Sequence, residues 1–342
     1  MQEVGMKIRL MLFLSLLLGL LCVKHFFGTS KEQKQPDQKA GAAAMRGQQH
    51  MDFAVSPAGD AIVFSAKGDG QQDIYLLDLK SNRVQRVTES KECEMDVAFS
   101  PDGKSILYSA SASVGDTAHL FLWALADGKR QQLTNQELYD RSPAFSPDGS
   151  KIVFARAARR REYGMGGWTW DQWDICVMDA NGGNVQQVTR ENYYSVGPPQ
   201  FSAKSENIIF APDYSTPLKT DIFIIDSAGK NPPKALTKDG HSSAPCFSPD
   251  YQNIAFISDV ATNYDYEVAL IKADGTKFTQ VTRNASYNQR PQYMPDGKHI
   301  LFQSDPKRQA RYDLWEVETD GSGLRLIADS SLFDDPMNWK PR

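Results

Sequence analysis

The chain is 342 residues long, with 38 lysines and arginines against 42 aspartates and glutamates and a formal net charge of -4. That balance leaves no overall basic field, so the charge does not recommend a nucleic acid as partner. Apolar residues make up 41% of the chain, ample material for a large core and unlike the composition of a disordered chain.

The first segment carries Lys7 and Arg9, then an uncharged run from Leu10 to Val23, then Lys24. This is the pattern of an export signal or membrane anchor, here residues 1–27. As a helix the run would rise roughly 21 Å against a hydrocarbon core of ~30 Å, which suits a signal-peptide core better than a comfortable span. No small-x-small cleavage pattern follows closely, so an uncleaved anchor is the alternative, and the bulky Leu21 before Cys22 argues against lipidation. Residues 28–49 are rich in Lys, Gln, Ala and Gly. They cannot offset their ordering entropy by burial and read as a flexible linker. The expected location is outside the cytoplasm, periplasmic or membrane-anchored and facing the periplasm or outside, with the membrane touched through the N-terminal segment alone.

From Phe53 onward the chain repeats itself. An aromatic-Ser-Pro-Asp-Gly signal puts prolines at 57, 101, 147, 249, 295 and 341, with Ala203 in the remaining slot, so the steps are 44, 46, 56, 46, 46 and 46 residues. At that period each unit is one small antiparallel sheet that cannot bury both faces alone, and radial stacking of such units makes a β-propeller. The proline presets its own φ and Asp-Gly pairs such as Asp102-Gly103 supply the positive φ of a tight hairpin. Apolar runs such as Ile62-Val63-Phe64 and Ile152-Val153-Phe154 are second strands, Asp73, Asp174, Asp221 and Asp313 open third strands, and Thr88, Thr134, Thr189, Thr237 and Thr282 close fourth strands. Six complete units are followed by a seventh copy of the first strand at Pro336 to Pro341. The prediction for residues 50–342 is an all-β, six-bladed propeller of four-stranded antiparallel blades, its ends completing one blade together and Trp339 near the seam. Seven blades with one incomplete is the alternative.

The long step comes from an insertion between the second and third strands of the third unit, Arg156 to Trp173, expected as a loop on the rim opposite the tight hairpins. It gathers Arg159, Arg160, Arg161, Tyr163, Trp168 and Trp170. Arginine and aromatic side chains offer large contact area with few torsions to freeze, the composition of recognition hot spots. The competing expectation is that the tryptophans fold back to seal a blade, with Trp173 buried and Trp168 exposed. Connections between units share this rim and are expected to present Tyr139, Asp140, Arg141, Tyr194, His241, Tyr287 and Arg290 to the mouth of the central channel, a default partner-binding site. Alternatively Asp140 and Arg141, or Asp334 and Arg290, satisfy each other. The third-strand aspartates, one per blade, are expected to cap backbone N–H groups. Cys176 and Cys246 read as small core hydrophobes and Cys93 as a loop thiol, without disulfide or metal spacing.

Catalytic signatures are scarce: the sequence has no Gly-x-Ser-x-Gly elbow, no His-Glu-x-x-His and no Cys-x-x-Cys. Gly103-Lys104-Ser105 mimics the end of a phosphate loop but continues a hairpin. His119, His241 and His299 occupy different structural slots, so a three-histidine metal site is not expected, nor any cofactor.

Phe-Ser-Pro-Asp-Gly at 99–103 and 145–149, followed by Ile-x-Phe and closed by Leu-Thr or Val-Thr, resembles the repeat of the TolB family of envelope propellers, over Phe53 to Pro341. The resemblance implies a periplasmic scaffold of the Tol-Pal system whose propeller mouth binds a peptidoglycan-associated lipoprotein. The α/β domain that precedes the propeller in that family is not read in this chain, which leaves the linker in its place. The repeat is also similar to that of prolyl-oligopeptidase-type peptidases, whose hydrolase domain is not read here, and of oligogalacturonate lyases, whose metal is held by several histidines at the channel; His241 alone is placed for that role. The expected protein is a monomeric, non-catalytic envelope scaffold that binds a protein or cell-wall-associated partner through the insertion and the channel mouth. A metal-dependent carbohydrate lyase is the alternative.

Overall fold

The computed structural model describes residues 52–67, 72–113, 115–163, 167–213, 220–260, 265–309 and 311–341. The segments read as signal or anchor and as linker lie outside the described residues. Chain contacts divide the protein into Met1–Gln48 and Gln49–Arg342, and the second unit is the propeller.

Blade 1 consists of β1 (Phe53–Val55), β2 (Ala61–Lys67), β3 (Gln72–Asp78) and β4 (Arg83–Arg86), and blade 2 of β5 (Cys93–Phe99), β6 (Ser105–Ser111), β7 (Ala118–Ala124) and β8 (Arg130–Gln132). Blade 3 holds β9 (Tyr139–Phe145), β10 (Lys151–Tyr163), β11 (Gly167–Asp179) and β12 (Gln186–Gln187). In blade 4 the innermost strand is split into β13 (Ser195–Val196) and β14 (Gln200–Phe201) around Gly197-Pro198-Pro199, followed by β15 (Asn207–Phe210), β16 (Pro212–Asp213), β17 (Phe223–Asp226) and β18 (Lys234–Ala235). Blade 5 is β19 (Ser242–Phe247), β20 (Asn253–Ser258), β21 (Glu267–Lys272) and β22 (Thr279–Gln280). Blade 6 is β23 (Tyr287–Tyr293), β24 (His299–Asp305), β25 (Asp313–Glu318) and β26 (Arg325–Ala328), followed by a short helix α1 (Ser331–Asp334). Within each blade neighbouring strands pair antiparallel in chain order, except that in blade 4 β13 pairs β16 and β15 pairs β17, and single parallel bridges such as Ala118↔Tyr139 and Tyr266↔Tyr287 join blades along one rim.

The second strands are apolar because both their faces are covered. The period-two pleat sends Ile62 and Phe64 into a core shared with Leu301, Leu314 and Phe333 of the last blade, and Val63 into a core shared with Ile106 and Tyr108 of the next. The serine of the turn signal has a specific job: Ser146 Oγ accepts the Lys151 N–H at 2.9 Å and donates to Asp148 at 2.6 Å, and Ser100 and Ser248 repeat the arrangement with Asp102 and Asp250. These bonds and those from the following backbone N–H groups hold the turn carboxylates below their usual range.

The threonines that close fourth strands tie the outer edges of blades 1 to 5 inward. Thr189 Oγ1 accepts the Ile175 N–H at 2.8 Å and donates to Asp174 at 2.7 Å, and Asp174 in turn accepts the Glu191 N–H at 3.0 Å. Asp73, Asp221 and Asp313 likewise accept backbone N–H groups of Ser90, Gly240 and Ser330, the capping role expected of them.

The ring closes without a shared blade, which corrects the sequence reading. Pro336 to Pro341 forms turns and irregular chain instead of a strand, and blade 1 keeps its own first strand. Two prolines and the preceding helix leave that segment no ladder to join. The seam is made by side chains. Gln292 Nε2 donates to Phe53 O at 2.6 Å and its Oε1 accepts the Val55 N–H at 3.3 Å, while Arg290 pairs with Asp52. Phe333 meets Phe64 edge-on at 5.5 Å, and Trp339 packs on the same cluster, near the seam as expected. The hairpin rim repeats across the seam too: a methyl group on Gly59 would lie 3.3 Å from Pro295, as one on Gly103 would lie 3.7 Å from Pro57 and one on Gly149 3.8 Å from Pro101.

Candidate functional site

The insertion is not a loop. The β10–β11 ladder runs without interruption of pairing order from Lys151↔Asp179 to Tyr163↔Gly167, whereas β9 leaves β10 at Ala157 and β11 meets Tyr193 last at Trp173. The extra residues lengthen two neighbouring strands, so the insertion stands off the rim as a two-stranded arm. Arg159 clamps it internally, donating to both carboxylate oxygens of Asp171 at 2.8 and 2.7 Å, and this pairing holds Asp171 below the usual carboxylate range. Arg161 approaches the same carboxylate at 3.6 Å, and Arg160 comes to 3.7 Å from Asp116 of blade 2.

Trp170 staples the arm to blade 2. Its Nε1 donates to Gly115 O at 3.0 Å and its ring lies 5.6 Å from that of Tyr139. Trp173 is buried at the arm's base, donates to Trp170 O at 3.0 Å and carries the Arg141 guanidinium 4.2 Å above its ring. For Trp170 and Trp173 the expectation of tryptophans sealing a blade therefore holds. The side chains of Tyr163 and Trp168 lie outside the described residues.

The residues expected around the channel mouth disperse, with one exception. Arg290 lines the channel, and its partner is Asp52, not Asp334. Asp334 pairs with Arg311 instead. Asp140 is buried and receives a bidentate pair from Arg156 at 2.6 and 2.8 Å, so it does not satisfy Arg141. Arg141 donates to Ser195 Oγ at 3.2 Å and Val196 O at 2.9 Å. Tyr139 is wedged between Trp170 and Trp173, where burial pushes its phenol up to about 12. Tyr287 packs on Tyr266 at 5.5 Å under the Arg308 guanidinium, and His241 Nδ1 shares a 2.7 Å hydrogen bond with Asp259. Tyr194 is 40% exposed on the rim. The alternating pleat accounts for part of the dispersal, turning Tyr139, Asp140 and Arg141 of β9 to the blade faces, while Tyr194 and His241 precede first strands and stay exposed at the rim.

The channel is a cavity of about 490 Å³ lined by the innermost strand of every blade. The residue five positions before the turn proline, or before Ala203 in blade 4, is Asp52, Asp96, Ser142, Pro198, Ala244 or Arg290, and all but Ala244 line the channel. Four of them, Asp96, Ser142, Ala244 and Arg290, have φ of 50 to 56° at bulges in their strands. At Asp96, Ser142 and Arg290 the bulge turns the residue toward the channel, whereas Ala244 packs on the core shared by blades 5 and 6. Asp52 accepts the Asp96 N–H at 2.7 Å, and Asp96 accepts the hydroxyls of Ser109 at 2.8 Å and Ser142 at 3.3 Å. Sequence reasoning missed Asp52, Asp96 and Ser142. Their fixed offset from the turn proline was the available signal, but no glycine marks the bulges.

Cys93 opens β5 and is half-buried, not on a loop, while Cys176 and Cys246 lie in the core as expected. Burial pushes all three thiols up.

Among known proteins, the Tol-Pal system protein TolB of Francisella tularensis subsp. holarctica (strain OSU18) is 32% identical over 68 residues, a stretch that spans 20% of this chain and 16% of that relative. The crystal structure of TolB from Acinetobacter baumannii superposes with a TM-score of 0.62 at 20% identity, covering 77% of this chain and 62% of that one. An oligogalacturonate lyase in complex with manganese superposes with a TM-score of 0.61 at 17% identity, covering 82% of this chain and 78% of that one. At these identities the structural likeness is one of fold. The six-bladed, four-stranded architecture accords with a match of residues 37–167 and 162–342 to PD40, the TolB beta propeller domain, and the chain belongs to that family.

Proposed function

We propose that this chain is a non-catalytic scaffold of the cell envelope that binds a protein or cell-wall-associated partner on the rim carrying the arm. The observation behind this reading is the arm itself. It is an insertion into an otherwise regular repeat, it is braced by Arg159–Asp171 and Trp170–Gly115, and it keeps Arg159 and Arg161 half exposed. A braced, solvent-facing element loses little conformational freedom when a partner docks. The proposed location is outside the cytoplasm, and the proposed working state is a monomer.

The test is affinity capture from solubilised envelopes with the full chain, beside a variant carrying Arg159→Ser, Arg160→Ser and Arg161→Ser whose fold is checked by circular dichroism. A partner held by the wild type and lost by the variant supports the reading, and equal capture by both removes the arm from it. Arginines are the better targets, because Trp170→Ala would also unpack Tyr139.

A lyase reading has one observation in its favour, a channel of useful volume in a fold shared with an oligogalacturonate lyase. His241, the histidine expected to serve it, lies outside the channel lining and bonds Asp259, and the described residues hold no cluster of metal-ligating side chains. Release of unsaturated product from oligogalacturonate in the presence of manganese would replace the scaffold reading with this one.

A further inference from the structure

Resting on the partner-binding reading above, we infer that the face of the arm turned toward blade 4 receives an acidic protein segment in extended conformation, with carboxylates two residues apart seated on Arg159 and Arg161. The faces follow from the ladder. At the base of the arm Val153, Ala155, Ala157 and Trp173 enter the core shared with blade 4, while Phe154 and Cys176 enter the core shared with blade 2. Carried outward through the pairs Arg159↔Asp171 and Arg161↔Thr169, the alternation puts both arginines on the blade 4 side. Arg160 and Trp170 fall on the other side by register, where they meet Asp116 and Gly115, and at the arm's base the Trp170 ring also reaches the blade 4 core through Tyr139.

Charge on the blade 4 face does not balance. Asp171, only 7% exposed, has both oxygens engaged by Arg159. Arg161 stands 3.6 Å away, beyond a hydrogen bond, and makes none among the described residues. Two guanidiniums, each 53% exposed, thus share one buried carboxylate and leave a unit of positive charge with open planar donors, the geometry that selects carboxylates. An extended peptide suits them better than an acidic polysaccharide. Same-face side chains of a strand recur every ~6.7 Å, so a second strand laid along the arm repeats its carboxylates in step with Arg159 and Arg161. At the base of the arm, Tyr194 is exposed and follows Tyr193, whose backbone exchanges 2.9 Å hydrogen bonds with Trp173.

The test uses the full chain and a fluorescein-labelled peptide of alternating Glu and Thr, read by anisotropy, beside its Gln-Thr counterpart and beside polygalacturonate. The expected result is salt-sensitive binding of the Glu-Thr peptide, weakened about tenfold by Arg161→Gln, a side chain the fold does not need. Equal binding of the Gln-Thr peptide, or an affinity untouched by Arg161→Gln, overturns the inference, and so does a preference for polygalacturonate. If the triple-serine variant loses envelope capture while the Glu-Thr peptide fails to bind, the acidic-segment inference falls and the partner-binding reading stands. If the peptide binds through Arg161 while capture ignores the arm, the inference holds and the arm's role in envelope capture falls.

Discussion

Glu94 is a carboxyl group whose surroundings favour its protonated form. It is 1% exposed at the start of β5, accepts the Thr88 hydroxyl, and faces Asp73 on β3 and Arg130 on β8. Burial is the largest influence, reinforced by the negative charge of Asp73 and opposed by hydrogen bonds from Thr88 and Ser90, and it lifts the carboxyl from 4.5 to about 7. A folded-state value above the unfolded one means that the fold favours the protonated form. The contribution of Glu94 is therefore most favourable below the unfolded value and is lost as pH rises from 4.5 through about 7. At ~1.4 kcal/mol per pKa unit the loss is about 3 kcal/mol once the group is fully ionised. Glu94→Gln keeps an acceptor for Thr88 and removes the charge. The corresponding position of blade 6, also seven residues before its turn proline, already carries an amide, Asn288, which donates to Glu267 at 3.1 Å and to Thr282 at 3.3 Å. Denaturant unfolding should show the variant about 3 kcal/mol more stable than wild type at a pH of about 8 and near parity at a pH of about 5. Parallel stability curves for the two proteins across that range would refute the reasoning.

The remaining predictions concern the turns and the seam. Gly182 has φ of 91° and an added methyl would lie 2.7 Å from Leu133 O, whereas at Gly103, with φ of 70°, the nearest atom is 3.7 Å away on Pro57. Gly103→Ala should cost about 1 kcal/mol and Gly182→Ala at least twice that, read as urea midpoints; the reverse order would contradict the packing argument. Gln292→Ala removes both hydrogen bonds across the seam and should cost about 2 kcal/mol, with faster amide exchange at Val55 than at its counterpart Phe99. Unchanged exchange at Val55 would show that the Gln292 bonds do not protect the seam.

The repeat was legible because its signals are local. A Ser-Pro-Asp-Gly turn is built from its own residues, Ser146 bonding Asp148 and Lys151 within five positions, so the pattern and the structure coincide. Arg156 with Asp140 and Arg290 with Asp52 were not legible, because each partner is set by strand register and by ring closure, and neighbours in sequence such as Asp140 and Arg141 project to opposite faces. The arm was misread as a loop for a related reason. The extra length was read against the repeat period alone, whereas Arg159 to Tyr163 and Gly167 to Asp171 extend an existing ladder. The channel ring escaped notice because bulges with positive φ at Asp96, Ser142, Ala244 and Arg290 carry no common residue type.

Because the sixth blade meets the first through side chains and shares no strand with it, no backbone ladder fixes which sector must come first. Each blade brings all of its own strands, so the order in which the sectors are strung along the chain is not encoded in their stacking. Circular permutants that cut any exposed connection between blades and bridge the present seam should therefore recover the same ring, and the arm would keep its place beside blade 4 whichever sector the ribosome makes first.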